Sequence, residues 1–527
     1  MVEKALREHL FLYLSLSSFI LPEYREYERA STTVLNAYVM PLMDQYLAQL
    51  ERELSPRPLR IMQSNGGCIT SGTARAQAAR TALSGPAGGV VGAFEMARQL
   101  LITNYPVIGN GVNSNWNLNV ITFDMGGTST DVCLCPGQIP FTSEGEIGGL
   151  PLRLPIIDIH TVGAGGGSLA RVDAGGALTV GPESAGAEPG PVCYGRGGLT
   201  PTVTDANVIL NRLHPEHFLG GRMALDVEAT RAALRQLQTQ TQTSSIEAAA
   251  WGVIQIANAA MERAIRKISI ERGHDPRDFT LVAFGGAGPL HACELAERLA
   301  LPRVLVPRMP GVLSALGMVL SDLVKDYAQT IMRRADALTP ADLDALFAPL
   351  EERARAEMKQ DGVSEPLLYH SIDMRYVGQS FEINVPLNNQ LPFTNYFHSL
   401  HAQRYGHVHP QAPVECVTLR VRAVGQMPRP VFEPAPTGDA DPSPAQVGEG
   451  AVWFEDTHGL APHPTRLYER NLLRANNRLA GPALLFQLDA TTVIPPGWVG
   501  AVDGWGHLLL TASPEREKMR SGEAARG

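Results

Sequence analysis

The stretch Asp124-Met-Gly-Gly-Thr-Ser-Thr-Asp131 decides the reading of this chain. An apolar run, Asn119-Val-Ile-Thr-Phe123, precedes it, and Val132-Cys-Leu134 follows. That order predicts strand, tight glycine turn, strand. Gly126 and Gly127 let the backbone curl closely around an anion and offer it N–H groups. Thr128, Ser129 and Thr130 add hydroxyl donors. Asp124 and Asp131 add carboxylates, which repel phosphate unless a metal ion lies between them. A loop of this composition suits the phosphate tail of a metal–nucleotide complex. It is not a Walker A loop, because it has no Gly-Lys-Ser/Thr. It is not a dinucleotide fingerprint either, because no helix follows and the glycine spacing differs. The competing reading is a hairpin whose turn is simply rich in Gly and Thr.

Other glycine turns flank this one. Pro155-Ile-Ile-Asp-Ile159 predicts a strand that leads into His160-Thr-Val-Gly-Ala-Gly-Gly-Gly-Ser168. There Gly163, Gly165, Gly166, Gly167 and Ser168 form a second loop of backbone donors. Asp158 and His160 are expected on one strand face, since side chains alternate. They abut the loop, which makes them candidates for metal binding or acid–base work. A hydrogen-bonded structural pair is the competing reading. Further on, Phe279–Phe284 predicts a buried strand, Leu290–Leu301 a helix and Arg303–Pro307 another strand. Between the first two lies Gly285-Gly-Ala-Gly-Pro289. Strand, glycine turn, helix, strand is an α/β unit with a ligand expected at the strand's carboxyl end. Gly285, Gly286, Ala287, Gly288 and Pro289 therefore join the candidates. Leu83-Ser-Gly-Pro-Ala-Gly-Gly-Val90 opens a helix to about Leu101, and reads equally as an anion site or a simple junction. The Pro- and Gly-rich stretch from Gly181 to Tyr194 reads as a functional or closely packed loop.

Elsewhere the periodicity is conventional. Ser31 or Thr32 is placed to cap a helix running to Leu54, and Ile246–Arg272 predicts a long amphipathic helix stopped by Gly273. The apolar run Leu10–Leu21 lacks the flanks of a leader peptide, is too short to cross a bilayer, and reads as a core segment, with a strand as one form it could take. Past Leu320 come a charged helix capped at Thr339, a strand pair within Asp373–Pro386, and short terminal strands. The expected division is 1–322 as the ligand-binding core, 323–426 as an α+β region, 427–450 as a linker, 451–512 as a β-rich segment and 513–527 as a disordered tail. His407 and His409 are expected on one strand face, too few to make a metal site.

Composition sets the bounds. The 527 residues are 44% hydrophobic and 18% charged, enough for a large globular core. A net charge of -9 gives no electrostatic case for nucleic acid or an anionic membrane. Six cysteines fit a reduced, cytoplasmic enzyme better than a disulfide scaffold. Cys133 and Cys135 alternate on one strand and are expected to be packing residues.

Taken together, these pieces resemble the hydantoinase/oxoprolinase family, in its A-type subunit. The matching stretches are Arg25–Arg29, Met62–Gly67, Ser84–Gly88, Phe123–Val132, His160–Ser168, Pro182–Pro191, Ala283–Pro289 and Arg375–Gln379. They occur in the family's order. The resemblance implies an actin-like ATPase core of ribonuclease H-like type, followed by a smaller α+β C-terminal domain. Relatives open cyclic amides such as hydantoins, 5-oxoproline or lactams with ATP, or act in ATP-dependent ketone carboxylases. It further implies that the Asp124–Asp131 hairpin is the second phosphate loop. In that scheme Gly285–Pro289 is the adenosine-side loop, and Asp124 holds Mg²⁺ or another divalent metal, directly or through water. The γ-phosphoryl would activate the amide oxygen so that water opens the ring. A B-type partner subunit is implied for the hydrolytic half. The family's first phosphate loop, Asp-x-Gly-Gly-Thr-Phe-Thr-Asp, has no match here. The expectation is an N-terminally incomplete core whose first lobe is absent or separately encoded. A non-catalytic binding or assembly piece is the alternative outside enzymology.

Overall fold

Strands Asn119–Met125 and Thr130–Pro136 form the antiparallel hairpin that the sequence predicts, with Asp124 opposite Asp131. This is a computed structural model, and it describes residues 13–102, 118–387 and 392–514, together with Leu6 and Arg516. The stretch expected as a loop from Leu101 to Asn119 and the charged tail after Ser513 fall mostly outside the described residues. Two compact units are assembled, each from three stretches of chain.

One unit takes residues 88–140, 158–317 and 430–527. Its main sheet has eight strands. Their order is Arg478–Ala480, Trp498–Val502, Leu508–Ala512, Arg303–Val306, Thr280–Phe284, Asn119–Met125, Thr130–Pro136 and His160–Val162. Strands 303–306, 280–284 and 119–125 are parallel neighbours, with Phe284 level with Asp124. Their carboxyl ends therefore open at one edge of the sheet, where α/β folds bind ligands. The long helix is real: Ile246–Ile268, capped by Ser245, lays Val253, Ile254, Met261 and Ile265 into the core. Each such side chain contributes about 1.5–3 kcal/mol by leaving water. Helix Gly288–Arg298 packs beside it.

The other unit takes residues 1–87, 141–157 and 318–429. Its six-stranded sheet runs Arg60–Met62, Cys68–Thr70, Leu323–Arg334, Val414–Gly425, Leu367–Tyr376 and Ile383–Pro386. Helix Pro340–Gln360 buries Leu343, Phe347, Leu350 and Met358 among the residues of that sheet. The capping box of Thr339 and Asp342 starts it.

Several expectations need correction. Helix Glu26–Leu54 starts well before Ser31. Ser31 and Thr32 lie inside it, where the Ser31 hydroxyl donates to the Pro151 carbonyl and Thr32 accepts from Arg153 N–H instead of capping. Ser17–Ile20 is a short helix, and residues 13–16 are irregular, so the described part of the N-terminal apolar run forms no strand. Ile156–Ile157 and His160–Val162 are separate strands, so Asp158 shares no strand with His160. His407 and His409 lie in a loop. A long strand, Gln446–Asp456, begins inside the expected 427–450 linker. Among the described residues, no helix is long and apolar enough to cross a membrane.

Candidate functional site

The Gly126–Ser129 turn closes on itself through one bond, from Gly126 N–H to the Ser129 carbonyl at 3.1 Å. The N–H groups of Gly127, Thr128 and Ser129 donate to no described residue, and neither do the hydroxyls of Thr128 and Ser129. A side chain on Gly126 or Gly127 would meet nothing within 4 Å. The turn thus keeps donors without a protein acceptor, with open space beside Gly126 and Gly127. Thr130 differs from its neighbours: it is fully buried, and its hydroxyl bonds to the Ala164 carbonyl at 2.5 Å.

The second glycine loop supports the first from behind. Gly166 N–H bonds to the Gly126 carbonyl at 3.0 Å, and Gly167 N–H to the Gly127 carbonyl at 2.6 Å. A Cβ on Gly165 would lie 2.7 Å from the backbone of Thr128 and Ser129. Ser168 turns its hydroxyl inward to Gly165 N–H at 2.8 Å. Only glycine allows two backbones to stack this closely. The stretch after Gly181 braces the brace. Ala185 N–H bonds to the Gly167 carbonyl at 2.9 Å, and a Cβ on Gly163 would meet Pro182 at 2.9 Å. Farther back, the buried Asp205 carboxylate accepts from Val192, Cys193 and Thr202 N–H and from the Thr202 hydroxyl.

The Gly285–Pro289 turn closes the third side. Gly285 has φ +78, and a Cβ there would fall 2.4 Å from Asp124 Oδ1. Ala287 N–H bonds to the Met125 carbonyl at 3.0 Å, which fixes the turn to the end of the hairpin strand. Gly286 has only Asp489 near it, and helix Gly288–Arg298 begins with Gly288 and Pro289. Its amino end adds positive potential beside the carboxylates.

Burial and the adjacent Asp131 carboxylate push the Asp124 carboxyl up to about 6, and Ser314 partly offsets this from 3.4 Å. Burial also raises Asp131, with the Thr161 hydroxyl donating to it and opposing the rise. Two carboxylates held this way are short of positive charge. Asp158 and His160 stand apart from them. Asp158 is ion-paired with Arg272. His160 is level with Val132 and therefore lies on the sheet face opposite Asp131, which is level with Thr161. Burial, with Lys267 and Arg272 nearby, holds its imidazole below the ordinary range. Cys133 and Cys135 are buried with Sγ atoms 3.8 Å apart. No group of three or more His, Cys, Asp or Glu able to hold a metal occurs among the described residues.

The residues present fit a metal–nucleotide phosphate tail. Two carboxylates with open coordination suit Mg²⁺, which takes one or two from the protein and the rest from phosphates and water. The free N–H groups and hydroxyls suit the phosphates themselves. Sequence reasoning missed Thr161, Ser314 and the Gly311–Asp489 contact, in which Gly311 N–H bonds to Asp489 Oδ2 at 2.9 Å. Thr161 lies in the quoted His160–Ser168 stretch, while no local pattern marks Ser314, Gly311 or Asp489, which come from distant stretches. Asp205 had a signal, the Thr-x-x-Asp box starting at Thr202.

Comparison with known proteins identifies the family. The hydantoinase/oxoprolinase model matches residues 29–327, and the hydantoinase/oxoprolinase C-terminal domain model matches residues 332–512. Caprolactamase subunit alpha of Pseudomonas jessenii is 34% identical over 509 residues, which cover 93% of this chain and 71% of that one. For 5-oxoprolinase 1 of Arabidopsis thaliana the identity is 31%, over 99% of this chain and 42% of that one. The crystal structure of the ATP-dependent caprolactamase from P. jessenii aligns with a TM-score of 0.82 at 32% identity, covering 97% of this chain and 74% of that one. Nucleotide-free acetone carboxylase aligns with a TM-score of 0.77 at 26% identity, covering 97% and 73%. The α/β fold is related to the actin-like ATPase superfamily, as the sequence motifs imply. With matched segments from residue 29 to residue 512 and likeness in both sequence and structure, the chain belongs to the hydantoinase/oxoprolinase family, in its A type.

Proposed function

We propose that this chain binds Mg-ATP on the Gly126–Ser129 turn and serves as the ATP-using subunit of an enzyme that opens cyclic amides. One observation carries the reading: among the described residues, three backbone N–H groups and two hydroxyls stand without acceptors beside two paired carboxylates. Asp124 holds the cation, directly or through water, and Asp131 adds the second negative charge. Gly127, Thr128 and Ser129 hold phosphate oxygens. Gly163–Ser168 keeps the turn rigid, and Gly285–Pro289 faces the adenosine. Asp158, through Arg272, fixes the approach to the strand that delivers Thr161 to Asp131, and His160 packs on its far face.

An amide is a poor electrophile, and bound ATP supplies a phosphoryl group to activate its oxygen. The chain's own contribution is positioning and charge neutralisation, as in other phosphoryl transfers. The name of the caprolactamase relative as a subunit supports a B-type partner for the hydrolytic half. All six cysteines are buried free thiols, which supports a reduced, cytoplasmic setting. Likeness to acetone carboxylase supports a second reading, in which the activated substrate is a ketone or bicarbonate.

Calorimetry of Mg-ATP against the chain and against Asp124→Ala tests the site. Binding that the variant loses is expected; a wild-type chain that binds no Mg-ATP overturns the proposal. ATP turnover in the presence of a B-type subunit then separates the chemistries. Stimulation by lactams or hydantoins supports the hydrolase, and stimulation only by a ketone with bicarbonate moves the assignment to a carboxylase.

A further inference from the structure

Behind the Gly285–Pro289 turn, a chain of buried polar side chains crosses a core that is otherwise apolar. Asn258 on helix Ile246–Ile268 and His291 in the first turn of helix Gly288–Arg298 are both fully buried. His291 Nδ1 lies 2.7 Å from Asn258 Oδ1. Asn258 Nδ2 donates to Glu294 Oε2 at 2.6 Å, and Arg212 Nη2 pairs with Glu294 Oε1 at 2.8 Å. Arg212 is fully buried as well, with its guanidinium 4.9 Å from the Trp251 ring and 5.4 Å from the Phe454 ring. The chain runs in one direction only. Arg212 can only donate and the Glu294 carboxylate accepts, so Asn258 turns its amide N–H groups toward Glu294 and its oxygen toward His291. That oxygen needs a donor, so the imidazole carries its proton on Nδ1 and leaves Nε2 bare. Burial and the Arg212 charge push His291 down to about 3, so the ring is neutral. Nε2 has no partner among the described residues. A phenyl ring would fill the same space without a bare buried nitrogen. What the imidazole adds is the directed bond to Asn258.

We infer that His291 is a positioning residue for the nucleotide: through Nδ1–H to Asn258 it fixes helix 288–298, and with it the Gly285–Pro289 turn. This role presupposes the Mg-ATP reading of the site given above. Apolar contacts let a packed helix roll or slide in small steps, whereas a satisfied polar network specifies one arrangement. Helix 288–298 has such ties at two heights. His291 and Glu294 hold Asn258 near its amino end, and Arg298 holds Gln255 and Glu262 at the other. The tie at His291 lies next to the turn, and side chains locked behind a site in this way keep its geometry. The Gly126–Ser129 turn has a different support, the Gly163–Ser168 loop, so loss of the His291 bond should reach the adenosine side and spare the phosphate side.

Calorimetry of Mg-ATP and of Mg-tripolyphosphate on the full chain tests this, with His291→Phe, His291→Asn and His291→Gln, at a temperature where circular dichroism shows each folded. Tripolyphosphate engages the phosphate turn alone, so the ratio of the two affinities reads the adenosine side. His291→Phe keeps a ring and loses the bond. Its ratio is expected to fall roughly tenfold, as loss of an outer-shell partner does, with tripolyphosphate binding unchanged. Asn sets a donor where Nδ1 stands, and Gln sets one where Nε2 stands. His291→Asn should therefore keep the wild-type ratio and His291→Gln should lose it, a contrast that carries the test if His291→Phe does not fold. A ratio unmoved in the Phe and Gln variants overturns the inference and leaves His291 a residue of the core. So does an equal fall for both ligands, or an Asn variant as weak as the Gln variant. A wild type that binds both ligands equally well overturns it too, while the phosphate site stands. A wild type that binds neither overturns the Mg-ATP reading and this role with it.

Discussion

The motif at Arg25 and the motif at Asp124 are equally visible in the sequence, yet their polar atoms meet opposite fates. In the unit that contains Arg25, most motif side-chain groups are engaged in ion pairs and hydrogen bonds, with Arg25 Nε and Gln63 Oε1 left over. Arg25 pairs with Glu382 at 2.9 Å, and Arg375 with Glu415 at 2.8 Å. Glu23 is clamped by Arg153 at 2.9 Å and by Arg420 at 2.8 Å, while Arg420 also reaches Asp373 at 2.6 Å. From Met62–Gly67, Gln63 bonds to the Val324 carbonyl at 2.8 Å and Asn65 to Asp326 at 2.7 Å. In the unit that contains Asp124, the motif backbone leaves its donors open and its carboxylates uncompensated. A family motif is therefore not by itself a ligand site. What marks one is polar capacity that folding leaves unused.

The sharpest way to break this contrast lies in the ion network. Arg420→Met leaves Glu23 and Asp373, which are nearly buried, without their shared cation. Removing one partner of such a group costs about 3–5 kcal/mol. Denaturant unfolding should show that loss, while Mg-ATP affinity at a temperature where the protein stays folded should not change. If affinity fell with no loss of stability, the network would be part of the ligand site and the contrast would fail.

Asp124→Asn should do the reverse. Mg-ATP affinity is expected to fall by at least about a hundredfold, or ~3 kcal/mol. The free protein should become more stable at pH 7. The sign follows from the raised carboxyl, near 6 in the folded chain. Below the ordinary carboxylate range both folded and unfolded forms hold the proton, and the stability from this group is complete. As pH rises toward about 6 the unfolded chain ionises first, and about 2–3 kcal/mol of that stability is lost. The amide does not ionise, so the variant should lack this slope between about pH 4 and 6 in thermal scans. A variant that is destabilised at pH 7 would mean that Asp124 serves the fold.

Two glycines separate cradle from brace. Gly165→Ala forces a Cβ against the Thr128 and Ser129 backbone, and should cost about 2 kcal/mol of stability, as overpacking does. Gly127→Ala has open space for its methyl and no positive φ, and should leave stability within about 0.5 kcal/mol. It should nonetheless weaken Mg-ATP binding several-fold, since the methyl takes room meant for a phosphate. Equal effects of the two on both measurements would erase the distinction.

How much of this is legible in the sequence follows from where the information sits. The hairpin, the 280–284 strand, the glycine turn after it and the 246–268 helix are legible because each is decided by local periodicity and turn chemistry. The position of the Gly126–Ser129 turn follows from the same local signals. The start of helix 26–54 was not legible, because Ser31 and Thr32 look like caps and in fact bond to distant backbone, at the Pro151 carbonyl and the Arg153 N–H. The brace beneath the loop was not legible either. The Gly163–Ser168 stretch reads as a second ligand loop, yet its N–H groups at Gly166 and Gly167 are taken by the first. Tertiary partners decide such cases, and a spacing pattern does not contain them.

The pair Asp158 and His160 is where sequence and geometry pull hardest against each other, and it is the smallest effect to measure. Sequence makes them neighbours on one strand beside a glycine loop. Geometry gives Asp158 to Arg272 and turns His160 to the sheet face away from Asp131. The Asp158–Arg272 pair is partly exposed, with side chains open by 27% and 45%. Pairs of this kind contribute about 0–1 kcal/mol, and less in salt. Asp158→Asn should accordingly shift stability by no more than that and leave Mg-ATP binding intact. Substrate-dependent ATP turnover should then fall no more than the small loss of positioning allows. A fall of a hundredfold or more with binding preserved would place Asp158 at the reacting atoms, since an ion pair this exposed cannot account for such a loss through the fold. The open polar capacity of the site would then extend beyond the hairpin, across a residue whose partner in the free chain is only a placeholder for substrate.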